Sequence, residues 1–146
     1  MGIVASVGSG PIAIDTAIFI YFAGRHATYA DLVRPMFGAA DRGELELVTS
    51  AVTLLEVLVV PYRAGDFVLA ERYETLLTRS RGLTLVAMDL VQLRAAAQIR
   101  ARYGVKTPDA LQLAAAVTTR CTTFVTNDRR LPELPGLRVI QLDSMR

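Results

Sequence analysis

The sequence is poor in the residues that form disulfides and zinc sites. It has one cysteine, Cys121, and one histidine, His26, among 146 residues. A single cysteine cannot form a disulfide within the chain, and the lack of further Cys and His ligands argues against zinc. We interpret Cys121 as a small buried apolar residue and His26, beside Arg25 in a polar loop, as a solvated residue.

Long hydrophobic runs are also missing. The longest stretch without charge, residues 1–14, is too short and too rich in Gly and Ser to span a membrane. It has neither the positive start nor the apolar centre of a secretory signal. We therefore expect a cytoplasmic protein, and the single cysteine agrees with a reducing compartment.

Lysine is nearly absent, because fifteen of the sixteen cationic residues are Arg and only Lys106 is Lys. The net charge of +2 does not by itself predict nucleic-acid binding. Arg forms bidentate bonds to phosphate and stacks on bases, which suits RNA. A GC-rich genome also favours Arg codons, so the bias leaves both explanations open.

Apolar strand-like runs alternate with amphipathic segments along the chain. The pattern predicts strands at 12–15, 45–49, 83–88, 122–126 and 137–142. It predicts helices at 16–23, 29–42, 50–60, 66–81, 89–103 and 107–119, the third ending before Pro61. This order is typical of an α/β fold with a mainly parallel sheet of four to five strands. We expect a single domain over residues 11–146, preceded by a flexible N-terminal extension or tag remnant at 1–10.

Four acidic residues stand out by their positions. Asp15 ends the first strand and is the only charged residue among the first 24, while Asp128 follows the fourth strand. Asp109 lies in the first turn of a helix, and Glu56 interrupts an apolar helix one turn after Thr53. Ligands of open α/β sheets bind outside the carboxyl ends of the strands. We therefore expect these acids to lie near one another.

Each acid also has an ordinary structural explanation. Asp109 could favour the helix dipole, Asp128 could cap a turn, and Glu56 could pair with an arginine. Asp15 is harder to explain, since Thr16 could cap the helix without burying a charge. If all four converge, their repulsion must be offset by a cation, and an all-oxygen cluster selects Mg²⁺ or Mn²⁺.

Four segments, "AIDTAIFIYF", "TSAVTLLEVL", "VKTPDALQLAAA" and "FVTNDRRL", contain these acids in order. Over residues 12–142 the sequence resembles PIN-domain ribonucleases, most closely the VapC toxins of VapBC toxin–antitoxin pairs. The resemblance implies an α/β/α sandwich, Mg²⁺-dependent cleavage of RNA, a homodimer and neutralisation by a VapB-type antitoxin, with DNA contacted only through that antitoxin. The sequence departs from the family pattern in two places. Ala17 stands where the family often has a small polar residue, and ten residues precede a first strand that usually starts nearer the initiator Met.

Carried over to this sequence, the resemblance implies four metal-binding and catalytic acids: Asp15, Glu56, Asp109 and Asp128. Thr16 and Asn127 match supporting positions. We expect the three aspartates to provide most of the metal coordination, directly or through water, and Glu56 to position or deprotonate the attacking water.

An acidic cluster repels a polyanion, so cations are needed around it. Lys106, Arg129 and Arg130 adjoin two of the acids, and we predict that they contact phosphates. Three alternatives remain open from the sequence: a non-catalytic PIN-like binding module, an RNA-processing PIN nuclease without an antitoxin, and a phosphotransferase with Asp15 as nucleophile. Ala17 argues against the last, because many such enzymes have a second Asp two residues after the first.

Overall fold

The computed structural model describes residues 2–146 and contains a single five-stranded sheet. The strands are β1 (Ile12–Ile14), β2 (Leu47–Ser50), β3 (Leu83–Val86), β4 (Thr123–Thr126) and β5 (Arg138–Gln141). The helices are α1 (Ile3–Val7), α2 (Thr16–Ala23), α3 (Ala30–Asp41), α4 (Val52–Ala64), α5 (Phe67–Arg79), α6 (Leu90–Tyr103) and α7 (Thr107–Thr118), and a 3₁₀ turn, Leu142–Met145, follows β5. All strand pairs are parallel. The predicted α/β class is therefore confirmed.

Alternate residues of each inner strand enter different cores, which places helices on both faces of the sheet. Ile12 and Ile14 of β1 join one core with residues of α2, α3 and α5. Ala13, between them, joins the second core with residues of α6 and α7. Because successive strand side chains point to opposite faces, this division follows from the backbone pleat. The result is the predicted α/β/α sandwich.

The strand order β3-β2-β1-β4-β5 creates a switch point between β1 and β4. From β1 the chain builds β2 and β3 on one side, and it then returns to add β4 and β5 on the other. The connections on the two sides diverge at the carboxyl ends of β1 and β4, which leaves a crevice there. Asp15 directly follows β1, and Asp128 comes two residues after β4.

The N-terminal segment differs from the expected flexible extension. Residues Ile3–Val7 form a short helix, and the Ile3 and Val7 side chains are buried in the core that contains α2 and α3. The Thr123 hydroxyl donates a hydrogen bond of 3.0 Å to the Val7 carbonyl oxygen. Burial of an apolar side chain of this size contributes about 1.5–3 kcal/mol as an upper estimate, so both residues favour the ordered position of this segment.

The predicted end of the third helix was wrong, because α4 continues past Pro61 to Ala64. The Pro61 ring is buried, and its missing backbone N–H costs the helix one hydrogen bond to the residue four positions earlier. Gly65 ends the helix instead: its backbone has φ +69°, a left-handed conformation that glycine adopts without a steric penalty.

Within residues 2–146, none of the helices is both long enough and apolar enough to cross a membrane. Cys121 is buried in the core that contains α7, as expected, and burial raises the pKa of its thiol.

Candidate active site

All four acids identified in the sequence line one open cavity of about 510 Å³ at the switch point. Its lining is formed by Asp15, Thr16, Ala17, Ile20, Tyr21, Glu56, Pro108, Asp109, Gln112, Asn127, Asp128 and Arg130. The acids come from four different elements: the end of β1, the middle of α4, the start of α7 and the turn after β4. The fold therefore brings together residues that are up to 113 positions apart in the sequence, from Asp15 to Asp128.

Asp15 is held by uncharged donors. Its Oδ1 accepts a hydrogen bond of 2.8 Å from the Thr16 backbone N–H at the start of α2, and its Oδ2 accepts one of 2.7 Å from the Thr126 hydroxyl. Burial raises the pKa of Asp15 most, these two hydrogen bonds oppose that shift, and the nearby charges of Glu56 and Asp128 raise the pKa further. Among the described residues, no Lys or Arg forms a salt bridge with it.

Glu56 is bonded to the same helix start as Asp15. Its Oε1 accepts a hydrogen bond of 2.6 Å from the Thr16 hydroxyl. Each of the two acids therefore has a bond to Thr16, one from the backbone N–H and one from the side chain. This residue fixes the two carboxylates relative to each other at the bottom of the cavity.

A buried polar network supports this arrangement from below. The Gln112 amide nitrogen donates to the hydroxyls of Thr16, at 3.1 Å, and Thr53, at 2.6 Å. The Gln112 Oε1 accepts from the Ser50 backbone N–H at 3.2 Å, which fixes the orientation of the amide. The Thr49 hydroxyl lies 2.8 Å from that of Thr53 and donates to a backbone carbonyl of β1.

The hydroxyl protons of this network can be assigned without conflict. The Thr49 hydroxyl has two acceptors within reach, the Ile14 carbonyl oxygen at 2.8 Å and the Gln112 Oε1 at 3.3 Å, so Thr53 can donate to the Thr49 oxygen. Because Gln112 supplies the proton to the Thr16 oxygen, the single hydroxyl proton of Thr16 is free to bond Glu56. The network therefore directs a donor at the Glu56 carboxylate.

Asp109 lies in the first turn of α7, where the helix dipole favours a negative charge. Burial nevertheless raises the pKa of Asp109, and the charges of Asp15 and Asp128 raise it further, while Arg130 and Lys106 act in the opposite direction. The electrostatic influence of Asp15 and Asp128 on this side chain agrees with their position in one cavity.

Asp128 has different surroundings, because Arg130 binds it with two parallel hydrogen bonds, each of 3.1 Å. The hydrogen bonds from this guanidinium are the main reason that the pKa of Asp128 is lowered. Arg130 is largely exposed, so water screens the pair. Three cations were predicted to contact phosphate, and Arg130 is the one bonded to a site acid. The Arg129 Nη2 lies 3.6 Å from the Asp143 Oδ2, and Lys106 is exposed just before α7.

Asn127 links the cavity to the C-terminal 3₁₀ turn. Its Oδ1 accepts a hydrogen bond of 2.7 Å from the Asp143 backbone N–H, and its amide nitrogen donates to the Tyr21 hydroxyl at 3.3 Å. These bonds place Asn127 in a positioning role for the turn that contains Asp128. That Asn127 and Thr16 also hold waters of a metal ion stays a prediction.

Sequence analysis did not identify Gln112, Thr49 or Thr126 as site residues. Gln112 had a detectable signal, because it lies one turn after Asp109 and is the only polar side chain between Asp109 and Thr118. Thr126 and Thr49 had none, since Thr is common in strands and only the fold brings their hydroxyls to Asp15 and Thr53.

The oxygen-rich donor set fits a hard divalent cation in its chemistry. Within residues 2–146, no group of three His, Cys, Asp or Glu side chains is arranged to hold a metal ion directly. Mg²⁺ commonly keeps several waters and binds through one or two carboxylates plus substrate phosphate, so this spacing agrees with partly water-mediated binding. Burial is the main reason that the pKa values of Asp15 and Asp109 are raised, and the further increase from neighbouring carboxylates reflects a negative potential that favours an added cation.

Solved structures with the same fold include several toxin–antitoxin complexes. A chain of VapBC2 from Rickettsia felis, bound to a DNA fragment from its promoter, has a TM-score of 0.67 and 14% identity over 90% of this chain and 98% of that one. A toxin–antitoxin complex from Klebsiella pneumoniae gives 0.67 and 20% over 90% and 97%, and DNA-bound VapBC from Salmonella typhimurium gives 0.63 and 22% over 90% and 98%. At these identities the likeness shows the fold alone.

A comparison with curated protein sequences finds no significant match. The sequence model of the PIN domain, in contrast, matches residues 12–137. This range includes β1, α4, α7, β4 and the turn after β4, and therefore all four acids. The chain therefore belongs to the PIN-domain family.

Proposed function

We propose that this protein is a Mg²⁺-dependent endoribonuclease and the toxin of a type II toxin–antitoxin pair. The observation that carries the proposal is the meeting of Asp15, Glu56, Asp109 and Asp128 in one cavity of a PIN domain. Four carboxylates without enough neighbouring cations are suited to bind a metal ion and, with it, the phosphate of a nucleic acid.

The four acids would hold Mg²⁺, which when bound lowers the pKa of a coordinated water and polarises the phosphoryl oxygen. Glu56 would accept a proton from an attacking water, and a bond only to its Oε1 among the described residues supports this role, since Oε2 remains available. Asp15 and Asp109 supply negative charge at the bottom and side of the cavity. Arg130 can exchange Asp128 for a substrate phosphate, since both are bound by the same bidentate geometry.

This chemistry places no demand on the ribose 2′-hydroxyl. Water attacks the phosphorus, the bond from phosphorus to the 3′-oxygen breaks, and this oxygen leaves as the 3′-hydroxyl of the upstream fragment, so the downstream fragment should carry a 5′-phosphate. A cyclic phosphate end would require attack by the 2′-hydroxyl and would contradict the proposed reaction.

The direct test is cleavage of RNA by the purified protein with Mg²⁺, with EDTA, and after Asp15→Asn substitution. We expect EDTA to abolish cleavage and Asp15→Asn to reduce the rate by roughly a hundredfold or more. Glu71→Gln, an exposed substitution on α5, is the matched control and should leave the rate unchanged. Cleavage that persists with EDTA and in Asp15→Asn would contradict the proposal.

Exposed apolar side chains support the proposed protein partners. On α4 and the start of α5 they are Leu55, Val59, Val60, Tyr62, Phe67 and Val68, and near the start of α6 they are Met88, Leu90, Val91 and Leu93. Groups of large apolar side chains exposed in this way are found at protein interfaces. We propose that an antitoxin helix and a second copy of the chain cover these surfaces.

These partners can be tested separately. Light scattering of the isolated protein should give the mass of a dimer, and Leu90→Glu or Val60→Glu should separate it into monomers if its patch is the dimer interface. Co-expression with the product of an adjacent short reading frame should yield a complex without ribonuclease activity. A monomer that does not bind this product would favour an RNA-processing nuclease without an antitoxin.

A further inference from the structure

Three aromatic rings lie together beside the acidic cavity. Tyr21, on α2, has its ring centroid 5.0 Å from that of His26 and 4.7 Å from that of Tyr29. The rings of His26 and Tyr29 are stacked, with centroids 4.9 Å apart and an angle of 26° between the planes. We call these three residues the aromatic platform.

The platform joins the cavity on one side and solvent on the other. Tyr21 lines the cavity together with the four acids, and its hydroxyl accepts the hydrogen bond from Asn127. His26 is exposed, although an aromatic ring with two packed neighbours could be buried. The platform thus extends from Tyr21, at the wall of the cavity, to the exposed His26.

Cationic groups lie at the same edge. The Tyr29 hydroxyl donates to Asp143 at 2.6 Å, and this carboxylate also has the guanidinium groups of Arg129 at 3.6 Å and Arg146 at 3.3 Å. Two positive charges on one carboxylate leave a net positive charge beside the rings. Both guanidinium groups are mostly exposed and can therefore reach a phosphate.

We propose that the aromatic platform stacks an unpaired base of a single-stranded RNA next to the cleaved phosphate. The inference rests on the proposed ribonuclease function and adds the conformation of its substrate. Bases that have left a helix stack readily on Tyr and His rings, whereas a base inside a duplex does not expose its face. Nearby arginines would hold the adjoining phosphates, so the enzyme would select unpaired loops or ends.

His26 offers a matched pair of substitutions, because it has two separable roles. Its ring belongs to the platform, and its Nδ1 accepts hydrogen bonds from the backbone N–H groups of Thr28 and Tyr29 before α3. Asn can accept equivalent bonds in an Asx turn but has no ring. Phe keeps a ring but cannot accept them. His26→Asn therefore removes the stacking surface, and His26→Phe removes the turn bonds.

The experiment measures binding in the full-length Asp15→Asn protein, with a short oligoadenylate that contains one 2-aminopurine, whose fluorescence falls when it stacks. We expect His26→Phe to bind like the parent, with the same quenching. His26→Asn should bind roughly tenfold more weakly and lose most of the quenching. The same oligonucleotide paired with its complement should bind weakly to all three proteins.

Thermal unfolding of the same proteins separates stacking from folding, since a purely structural role would make His26→Phe the weaker binder and the less stable protein. Equal binding by the Asn and Phe variants, preference for the duplex, or no binding of the single strand would each overturn the inference. The proposed function has its own readout, cleavage of RNA by the unsubstituted protein. That cleavage would remain even if the platform proved irrelevant.

Discussion

Asp15 and Asp128 follow neighbouring strands and line the same cavity, but their surroundings are opposite. Asp15 is bonded to a backbone N–H and a hydroxyl, and burial together with other acids raises its pKa. Asp128 is bonded by a guanidinium, which lowers its pKa. In the protein alone the negative charge of Asp128 is compensated, whereas that of Asp15 is not.

This difference shows where an added cation matters most. The arginine that compensates Asp128 lies only two residues away in the chain, at the exposed rim. Asp15 lies deeper and depends on polar groups that do not cancel its charge. A divalent ion would therefore stabilise the Asp15 side of the cavity more than the Asp128 side. The predictions below test this asymmetry.

The largest effect on stability is expected at Gln112, which supports the Asp15 side through Thr16. Gln112→Leu removes the side-chain acceptor of the buried Ser50 N–H and the amide donor of the Thr16 and Thr53 hydroxyls, which should lower the free energy of unfolding by about 1–3 kcal/mol. Chemical denaturation measures this loss. Cleavage should also slow by roughly tenfold at saturating RNA, because Glu56 loses its fixed position.

Gln112→Glu serves as the second variant, since it keeps the size and the acceptor for Ser50, lacks the amide protons for Thr16 and Thr53, and adds a carboxylate to the acidic cluster. We expect an equally slow reaction. A Gln112→Leu protein of parental stability and rate would show that the network does not support the site.

Substitution of the two aspartates should change stability in opposite directions. In EDTA, Asp15→Asn removes an uncompensated charge, keeps an acceptor for the Thr16 N–H and lets its amide donate to the Thr126 oxygen instead of accepting from it, so its melting temperature should rise. Asp128→Asn removes the ion pair with Arg130, so its melting temperature should fall slightly. Two decreases of equal size would contradict the asymmetry.

The pH dependence of the free energy of unfolding should also differ between the two aspartates, and we expect this effect to be smaller than those of the substitutions. The Asp15 pKa is raised above its usual 3.8, so protonation relieves its penalty as the pH falls, and this relief is complete below the unfolded-state value. The Asp128 pKa is lowered, so its stabilising contribution persists down to the unfolded-state value and is lost below it.

Denaturation in EDTA across this pH range should therefore show two different windows. The advantage of Asp15→Asn over the parent should disappear as the pH approaches 3.8 from above. The deficit of Asp128→Asn should begin to disappear only near and below 3.8. Parallel curves for both variants would be inconsistent with the two environments.

The sequence predicts which acids form this site better than it predicts the hydrogen bonds between the site residues. The acids can be recognised because they interrupt apolar segments, and the alternation of strands and helices predicts that Asp15 and Asp128 meet at one edge of a sheet. The pairing of Arg130 with Asp128 was not predicted, because a charged neighbour can face either substrate or its own chain. The Gln112 network depends on side-chain directions that only tertiary packing determines.

The same limit explains the two errors in the fold. Pro61 lies inside α4 although it removes one backbone hydrogen bond, and the helix ends at Gly65 after the proline ring has been buried. Small residues surround Ile3 and Val7 in the sequence, which makes the segment resemble a tail. Its attachment to the core comes from contacts with distant residues such as Thr123.

The central claim is that a divalent ion offsets the charge of the clustered acids, with Asp15 as the residue that most requires it. Titration of Mg²⁺ into the metal-free protein, followed by thermal unfolding, tests it most directly. The account predicts that the melting temperature rises with the Mg²⁺ concentration and that the rise is absent in Asp15→Asn. At a hundred times the dissociation constant the added stability should be about 2.7 kcal/mol. The same response to Mg²⁺ in both proteins, or none in either, would contradict it.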